Sequence, residues 1–451
     1  MVGSRDTASN ESAIHMRRLV LLLVVFIAMP GLPGLAAAPK AGLTRVVLEN
    51  DLTLLVYENH AAQIVTLEAW AKVGSRDETD ELNGAAHFIE HMLHKGTQRR
   101  KVGQIFREIE SLGGIFNAGT SWDFTYFFIS AASRYFDQIL DIQSDAVMHS
   151  TFDADELERE RKVVIEELNL RDNTPATRVT ELVYGTAYAT HPYRRPIGGT
   201  REVLQRMPRQ QLVEFYRAHY APGTISVVVV GDVATDDVIA KVRRAYGAWR
   251  GTAVARPTAS PEPAFTGVRR TELELDVRVA YLRLGWLGPS VRDRDFYVMD
   301  VLAYALGRGR ASRLFQNIRE RQRLAQEISA GFPTALDPAL VQISAVVEPQ
   351  DLVRVEQAIL AEIAEIRDQG ITEDELQRAK ALVDGEYVLD NHTSRGLAFS
   401  LGYYATIAEP ELALTYRDQI KQVTREDVQR VARKYLDPQR YAIAVIRPRS
   451  R

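Results

Sequence analysis

The 451 residues suffice for two or more domains of ordinary size, and 46% apolar with 25% charged residues describe a chain able to bury large cores. A net charge of −3 with the two signs intermixed excludes an electrostatic nucleic-acid footprint, so no nucleic-acid partner is expected. Cysteine is absent, which excludes disulfides, thiolate metal sites, a cysteine nucleophile and a lipidated N-terminal cysteine.

Arg17 and Arg18 precede the apolar run Leu19 to Met29, and the small residues Ala36, Ala37 and Ala38 follow. That layout reads as a secretory signal peptide over residues 1–38, with Met16 as an alternative start. The run is shorter than the ~20 residues of a membrane span. Export to the periplasm is the expectation, with an uncleaved anchor as the other reading.

Thr44 to Leu48 and Leu52 to Tyr57 flank Glu49-Asn50-Asp51 and predict a hairpin. Val65, Leu67, Ala69, Ala71 and Val73 alternate with other residues and predict a strand with one buried face. A polar loop then leads to a short helix, with Asn83 placed to cap its start and Gly96 to end it. Residues four apart share a helical face, so His87 and His91 can aim both imidazoles at one point. Two such nitrogens suit zinc, and Glu90 stands beside them, able to reach a water without being a ligand. His-x-x-Glu-His is the inverted form of the His-Glu-x-x-His signature. Nine histidines in the chain make an incidental pair at this spacing equally plausible, so a third ligand decides the reading.

A second helix is expected at Val102 to Leu112, then strands at Ile115 to Ala118 and Thr125 to Ser130. Asp153 to Arg171 predicts a strongly charged helix whose Val163-Val164-Ile165 trio, followed by Glu166 and Glu167, suggests that its later part enters the interior. A buried carboxylate needs a partner, and a metal is one. Glu160 and Glu167 are two turns apart and share a face. Arg209 to Tyr220 reads as a helix, Pro222-Gly223 as a turn and Ile225 to Val230 as a buried strand. Residues 251–267 hold three prolines and little periodicity, which marks a linker, and from Leu273 to Tyr281 the strand alternation restarts without a break.

The chain also repeats itself faintly. Met207-Pro208-Arg209 and Pro222 correspond to Val423-Thr424-Arg425 and Pro438 at one common offset (423 − 207, 438 − 222). Asp155-Glu156-Leu157 recurs as Asp374-Glu375-Leu376 at a slightly larger one (374 − 155). Two related halves are expected: 39–250 with the metal site and 268–451 without a His-x-x-Glu-His.

On these residues the sequence resembles the pitrilysin and insulinase family of inverzincin metallopeptidases, closest to the short branch that includes the mitochondrial processing peptidase. His87-Phe88-Ile89-Glu90-His91 matches the metal helix, and Glu160-Arg161-Lys162-Val163-Val164-Ile165-Glu166-Glu167 resembles the stretch whose last Glu is the third ligand. The resemblance implies an α+β fold of two related α/β domains, each a mostly antiparallel sheet packed with helices. It implies one zinc ion on His87, His91 and Glu167, with Glu166 as the register alternative. Glu90 would act as general base and Glu160 would orient a ligand His. Gly114, Phe116, Asn117 and Ala118 resemble the strand along which substrate lies, and Leu306 to Phe315 resembles a glycine-containing turn opening the second half. Arg319 matches a substrate-contacting Arg, but the Tyr expected seven residues later is Gln326. His94 stands where relatives carry an aromatic residue, and packing or support of a ligand is expected of it. The activity implied is a zinc endopeptidase acting on peptides or unfolded polypeptides. The chain would work as a dimer, either with a homologue lacking the zinc motif or with a second copy. A non-catalytic peptide-binding subunit is the alternative.

Overall fold

The computed structural model describes residues 42–449, so the expected signal peptide lies outside the described residues. Strands β1 (Leu43–Val47) and β2 (Thr53–Glu58) pair antiparallel around a turn in which Asp51 takes φ +69°, the predicted hairpin. β3 (Ile64–Ala71) follows, then helices α1 (Ala85–Leu93) and α2 (Gln104–Ser111). β4 (Ile115–Thr120) and β5 (Thr125–Ala132) come next, both longer than expected. Five helices lead on to β6 (Ile225–Gly231): α3 (Phe136–His149), α4 (Ala154–Asp172), α5 (Pro175–Ala187), α6 (Arg201–Arg206) and α7 (Arg209–His219). α8 (Thr235–Tyr246) closes the first half.

The second half opens with β7 (Arg269–Leu275) and β8 (Ala280–Leu287), so the unbroken alternation read from Leu273 to Tyr281 in fact spans two strands and the turn between them. α9 (Asp295–Gly307), β9 (Glu327–Gly331) and β10 (Leu340–Val347) follow. Next come α10 (Leu352–Gln369), α11 (Glu373–Asn391), α12 (Ser394–Ile407), α13 (Leu412–Gln422), α14 (Arg425–Tyr435) and β11 (Ala442–Pro448).

The two sheets share one plan. The first runs β1-β2-β6-β3-β5-β4 and the second β7-β11-β8-β10-β9, so without β1 each strand has a counterpart in the same place. One parallel pair, β2 with β6 and β7 with β11, stands in each otherwise antiparallel sheet. α4 and α11 are both 19 residues long, and their starts are offset as the two Asp-Glu-Leu triplets are (373 − 154, 374 − 155). That pairing of helices gives the faint repeat its physical meaning.

Each half lends a helix to the other. α12 lies on β3 and β6 of the first sheet, while α5 lies on β8 and β11 of the second. β3 is therefore buried on both faces from Val65 to Ala71, not on one as its alternation suggested. Trp70 is fully buried under this cover, with Tyr126 stacked at 4.7 Å and Phe399 edge-on at 5.1 Å between ring centroids. Gly402 faces the same indole so closely that a Cβ there would lie 2.0 Å from its Nε1.

Residues 251–265 form neither helix nor strand, in keeping with their prolines. They are fastened down all the same. Arg256 pairs with Asp77 at 3.0 Å, and Glu262 accepts from the backbone amides of Ala189, Thr190 and His191.

Candidate metal centre

α1 is positioned by groups that the sequence did not announce. The expected cap, Asn83, gives way to Gly84, whose φ of +100° and lack of a Cβ let the chain pass Gly198 closely. The free amides of the first turn are met from outside: Glu78 accepts from Gly84 N and Ala86 N at 2.8 Å each, and Asn83 Nδ2 donates to the same carboxylate at 2.9 Å. The far end also differs, because the helix stops at Leu93, three residues before Gly96. His94 turns inward against Phe127 and Phe116, where burial pulls its pKa down to about 4, so it packs as a neutral ring.

α4 starts at Asp153, whose carboxylate accepts from the amides of Asp155 and Glu156. It buries Leu157, Glu160, Arg161, Val164 and Leu168, one stripe at helical spacing. The later part of the helix enters the interior along that stripe only: Val164 is buried, Ile165 is half-buried and Val163 is 49% exposed. Arg161 anchors the helix by donating to the carbonyls of Leu204 and Met207, with its guanidinium over the Phe88 ring of α1.

These two helices bring the predicted ligands together. Glu167 Oε2 lies 3.6 Å from His87 Nε2 and 3.5 Å from His91 Nε2. With ligand bonds of ~2.0–2.1 Å, the edge of a zinc tetrahedron is ~3.4 Å; both edges to Glu167 match it, all three donor atoms lie within 4.8 Å of one another, and two imidazoles with a carboxylate suit the metal. No other group of three or more such side chains converges among the described residues. Of the two register alternatives, Glu167 is the one that faces both imidazoles, while Glu166 is exposed. Glu160 accepts from Nδ1 of His91 at 3.1 Å and pairs with Lys95 at 2.6 Å, fixing the orientation of that imidazole and leaving Nε2 for the metal. His87 Nδ1 is buried without a hydrogen-bond partner among the described residues, so packing and the Nε2 side facing Glu167 orient that ring.

The electrostatics separate the two imidazoles. Burial, aided by the charge of His91, pulls His87 down to about 3 and keeps it a neutral donor. Burial also opposes charge on His91, but the carboxylates of Glu160, Glu167 and Glu90 outweigh it and raise the ring to about 10. Burial pushes Glu167 up, yet the His91 hydrogen bond and the nearby histidines hold it down to about 2. The site therefore concentrates negative charge around one cationic ring, the balance a divalent cation would take over. Glu90 points at the same space, its pKa raised by burial against the pull of His91, and Thr120 Oγ1 donates to it at 2.6 Å. Thr120 is a site residue that the sequence did not flag; it enters because β4 carries it back toward α1.

β4 holds Phe116, Asn117 and Ala118 and follows Gly114; it is the outermost strand of the first sheet, paired only with β5 among the described residues. It stands beside α1. Arg319 lies elsewhere, in a short π-helical turn of the second half, donating to the Gln326 carbonyl at 2.7 Å and stacking on Phe315. Arg319 and Gln326 line a cleft of about 390 Å³ on the second sheet. The polar partners of Arg319 are Gln326 and Glu320, so the structure does not join it to the His87 cluster. The glycine-containing turn falls between the end of α9 and this segment.

The second half closes the equivalent position with its own cation. Glu386 occupies on α11 the place that Glu167 occupies on α4, since both follow the start of their helix by the same number of positions (386 − 373, 167 − 154). It is gripped by Arg308 at 2.8 and 3.0 Å and by Tyr304 at 2.8 Å. A guanidinium sits where the first half gathers histidines.

Known proteins resemble this chain along most of its length. A family model described as insulinase (peptidase family M16) matches residues 54–201, and one described as the peptidase M16 inactive domain matches 206–383. An uncharacterized zinc protease of Mycobacterium leprae is 32% identical over 91% of this chain and 93% of its own length. A probable mitochondrial-processing peptidase subunit beta of Arabidopsis thaliana is 27% identical over 91% of this chain and 79% of its own. The crystal structure of a protease from Helicobacter pylori superposes with a TM-score of 0.86 at 26% identity, over 91% of this chain and all of that one. With two matching halves, one ligand set and relatives spanning nearly its whole length, the chain belongs to the insulinase or pitrilysin family of zinc peptidases, M16.

Proposed function

We propose that the chain is a zinc-dependent endopeptidase acting on peptides or unfolded polypeptides. The observation that carries this reading is the convergence of His87, His91 and Glu167 within 4.8 Å, next to Glu90 and an open strand edge. Zinc held by those three side chains supplies Lewis acidity, polarising a carbonyl and acidifying water. Glu90 takes a proton from water and returns it to the departing amine, a role supported by its burial beside His91 and Glu167. Thr120 keeps that carboxylate from turning away, and Glu160 with Lys95 keeps His91 in line. A substrate backbone extends the first sheet along β4, hydrogen-bonding without regard to side chains. Against the non-catalytic alternative stands the first half, which keeps His87, His91, Glu167 and Glu90 together.

Two extensions belong to the proposal. Export is supported by the basic, apolar and small-residue succession from Arg17 to Ala38. Pairing with a second chain is supported by the similarity to a relative named as a subunit.

The test is hydrolysis of an unstructured peptide, with and without chelator, alongside the Glu90→Gln variant. The expected result is chelator-sensitive cleavage by the native chain and a loss of at least ~100-fold in the variant, with zinc content unchanged. Cleavage that survives both chelation and the substitution would overturn the assignment.

A further inference from the structure

α4 carries two large apolar side chains in water, Val163 at 49% and Leu170 at 69% exposed. At 3.6 residues per turn they lie within ~20° of one another, one turn to either side of Glu167. Their outward neighbours Arg159, Lys162 and Glu166 are exposed and charged, so nothing in the helix covers them. The second half repeats the arrangement. Leu382 and Leu389 of α11, at 38% and 67% exposed, are the counterparts of Val163 and Leu170 at the offset that relates the two helices (382 − 163, 389 − 170). Scattered exposed apolar residues need no explanation. Two matching pairs on equivalent helices, one of them bracketing a ligand carboxylate, form a pattern that the metal site alone does not account for.

Resting on the peptidase reading, we propose that Val163 and Leu170 form an apolar shelf that seats large apolar side chains of an extended, unfolded polypeptide beside the bond being cleaved. The Glu167 side chain is 43% exposed, so the shelf adjoins the accessible side of the ligand set. Pairing along β4 fixes the main chain of a substrate and leaves side chains unread. Selection among substrates then falls to side-chain contacts such as these. An unfolded chain differs from a folded one in offering its large apolar side chains, and a shelf favouring them directs the enzyme to unfolded protein.

The experiment uses the full chain carrying Glu90→Gln, loaded with zinc, so that binding is read without hydrolysis. Two fluorescent peptides of equal length are compared, one rich in Leu and Phe and one with those residues replaced by Ala and Ser. Adding Val163→Ser and Leu170→Ser should weaken binding of the apolar peptide about tenfold and leave the Ala/Ser peptide within about twofold, with zinc content and elution volume unchanged. Equal weakening of both peptides, or none, overturns the proposal. A change of oligomeric state with unaltered peptide preference also overturns it and assigns the face to a second copy. Hydrolysis by the chain without Glu90→Gln is measured in parallel, so failure of the shelf and failure of the peptidase reading give different results.

Discussion

Thr120 shows how much of the centre depends on single side chains outside the motif. Its hydroxyl is 2.6 Å from the carboxylate of Glu90, which otherwise hangs from a helix with several rotamers open to it. Thr120→Val keeps the shape and removes the donor. We expect kcat to fall about tenfold while zinc content and KM hold, because the lost contact orients the proton carrier and neither ligands nor substrate; steady-state kinetics with metal analysis checks this. The convergence of His87, His91 and Glu167 was legible in part: four-residue spacing pairs the imidazoles, while Glu167 stood out from Glu166 by the face it shares with Glu160 and by the family resemblance. Thr120 was not: its role comes from a strand crossing behind the metal helix. Lys95 was closer to legible, lying one turn beyond His91 with a charge opposite to that of Glu160.

At the scale of elements, α4 and α12 show what makes a helix legible. α4 shows charge, a capping Asp and a buried stripe, and its ends were placed within one residue. α12 is buried at every position from Ala398 to Ile407, so it has no periodicity to find. The start of α1 misled for a different reason, because its acceptor, Glu78, lies outside the helix and no motif links the two. Glu78→Ala should leave the amides of Gly84 and Ala86 unmet and loosen the helix by ~1 kcal/mol or more. The measurable outcome is a lower melting temperature and weaker zinc binding, with turnover per zinc-loaded molecule largely kept. Loss of turnover at full zinc occupancy would mean that Glu78 does more than hold the helix.

Across the whole molecule, the halves are joined by more than residues 251–265. Arg76 of the first half donates to Asp337 of the second at 2.6 Å, His191 reaches the same carboxylate at 3.1 Å, and Tyr193 donates to Asp123, which also accepts the Leu336 amide. Between β3 and α12 lies Glu68, fully buried, taking one hydrogen bond from Trp70 at 2.7 Å and facing Arg395 and Asp390 around a small cavity. Burial raises its pKa from 4.5 to about 8 against the pull of Trp70 and Arg395. The folded chain thus keeps a proton that the unfolded chain releases above 4.5, and stability present at lower pH is lost as pH rises toward about 8. Glu68→Gln should flatten that decline and melt at least ~2 °C higher than the native chain at pH 8.5, with little difference at pH 4.5; scanning calorimetry at the two pH values checks it.

The exchange of α5 and α12 bears on self-preservation. A hydrolase that attacks extended backbone endangers its own kind whenever part of it comes undone. Because the cover of each sheet belongs to the opposite half, undoing either half uncovers the sheet of the other, so the two cores are expected to open together, and long stretches of extended backbone for a neighbour to cut become scarce.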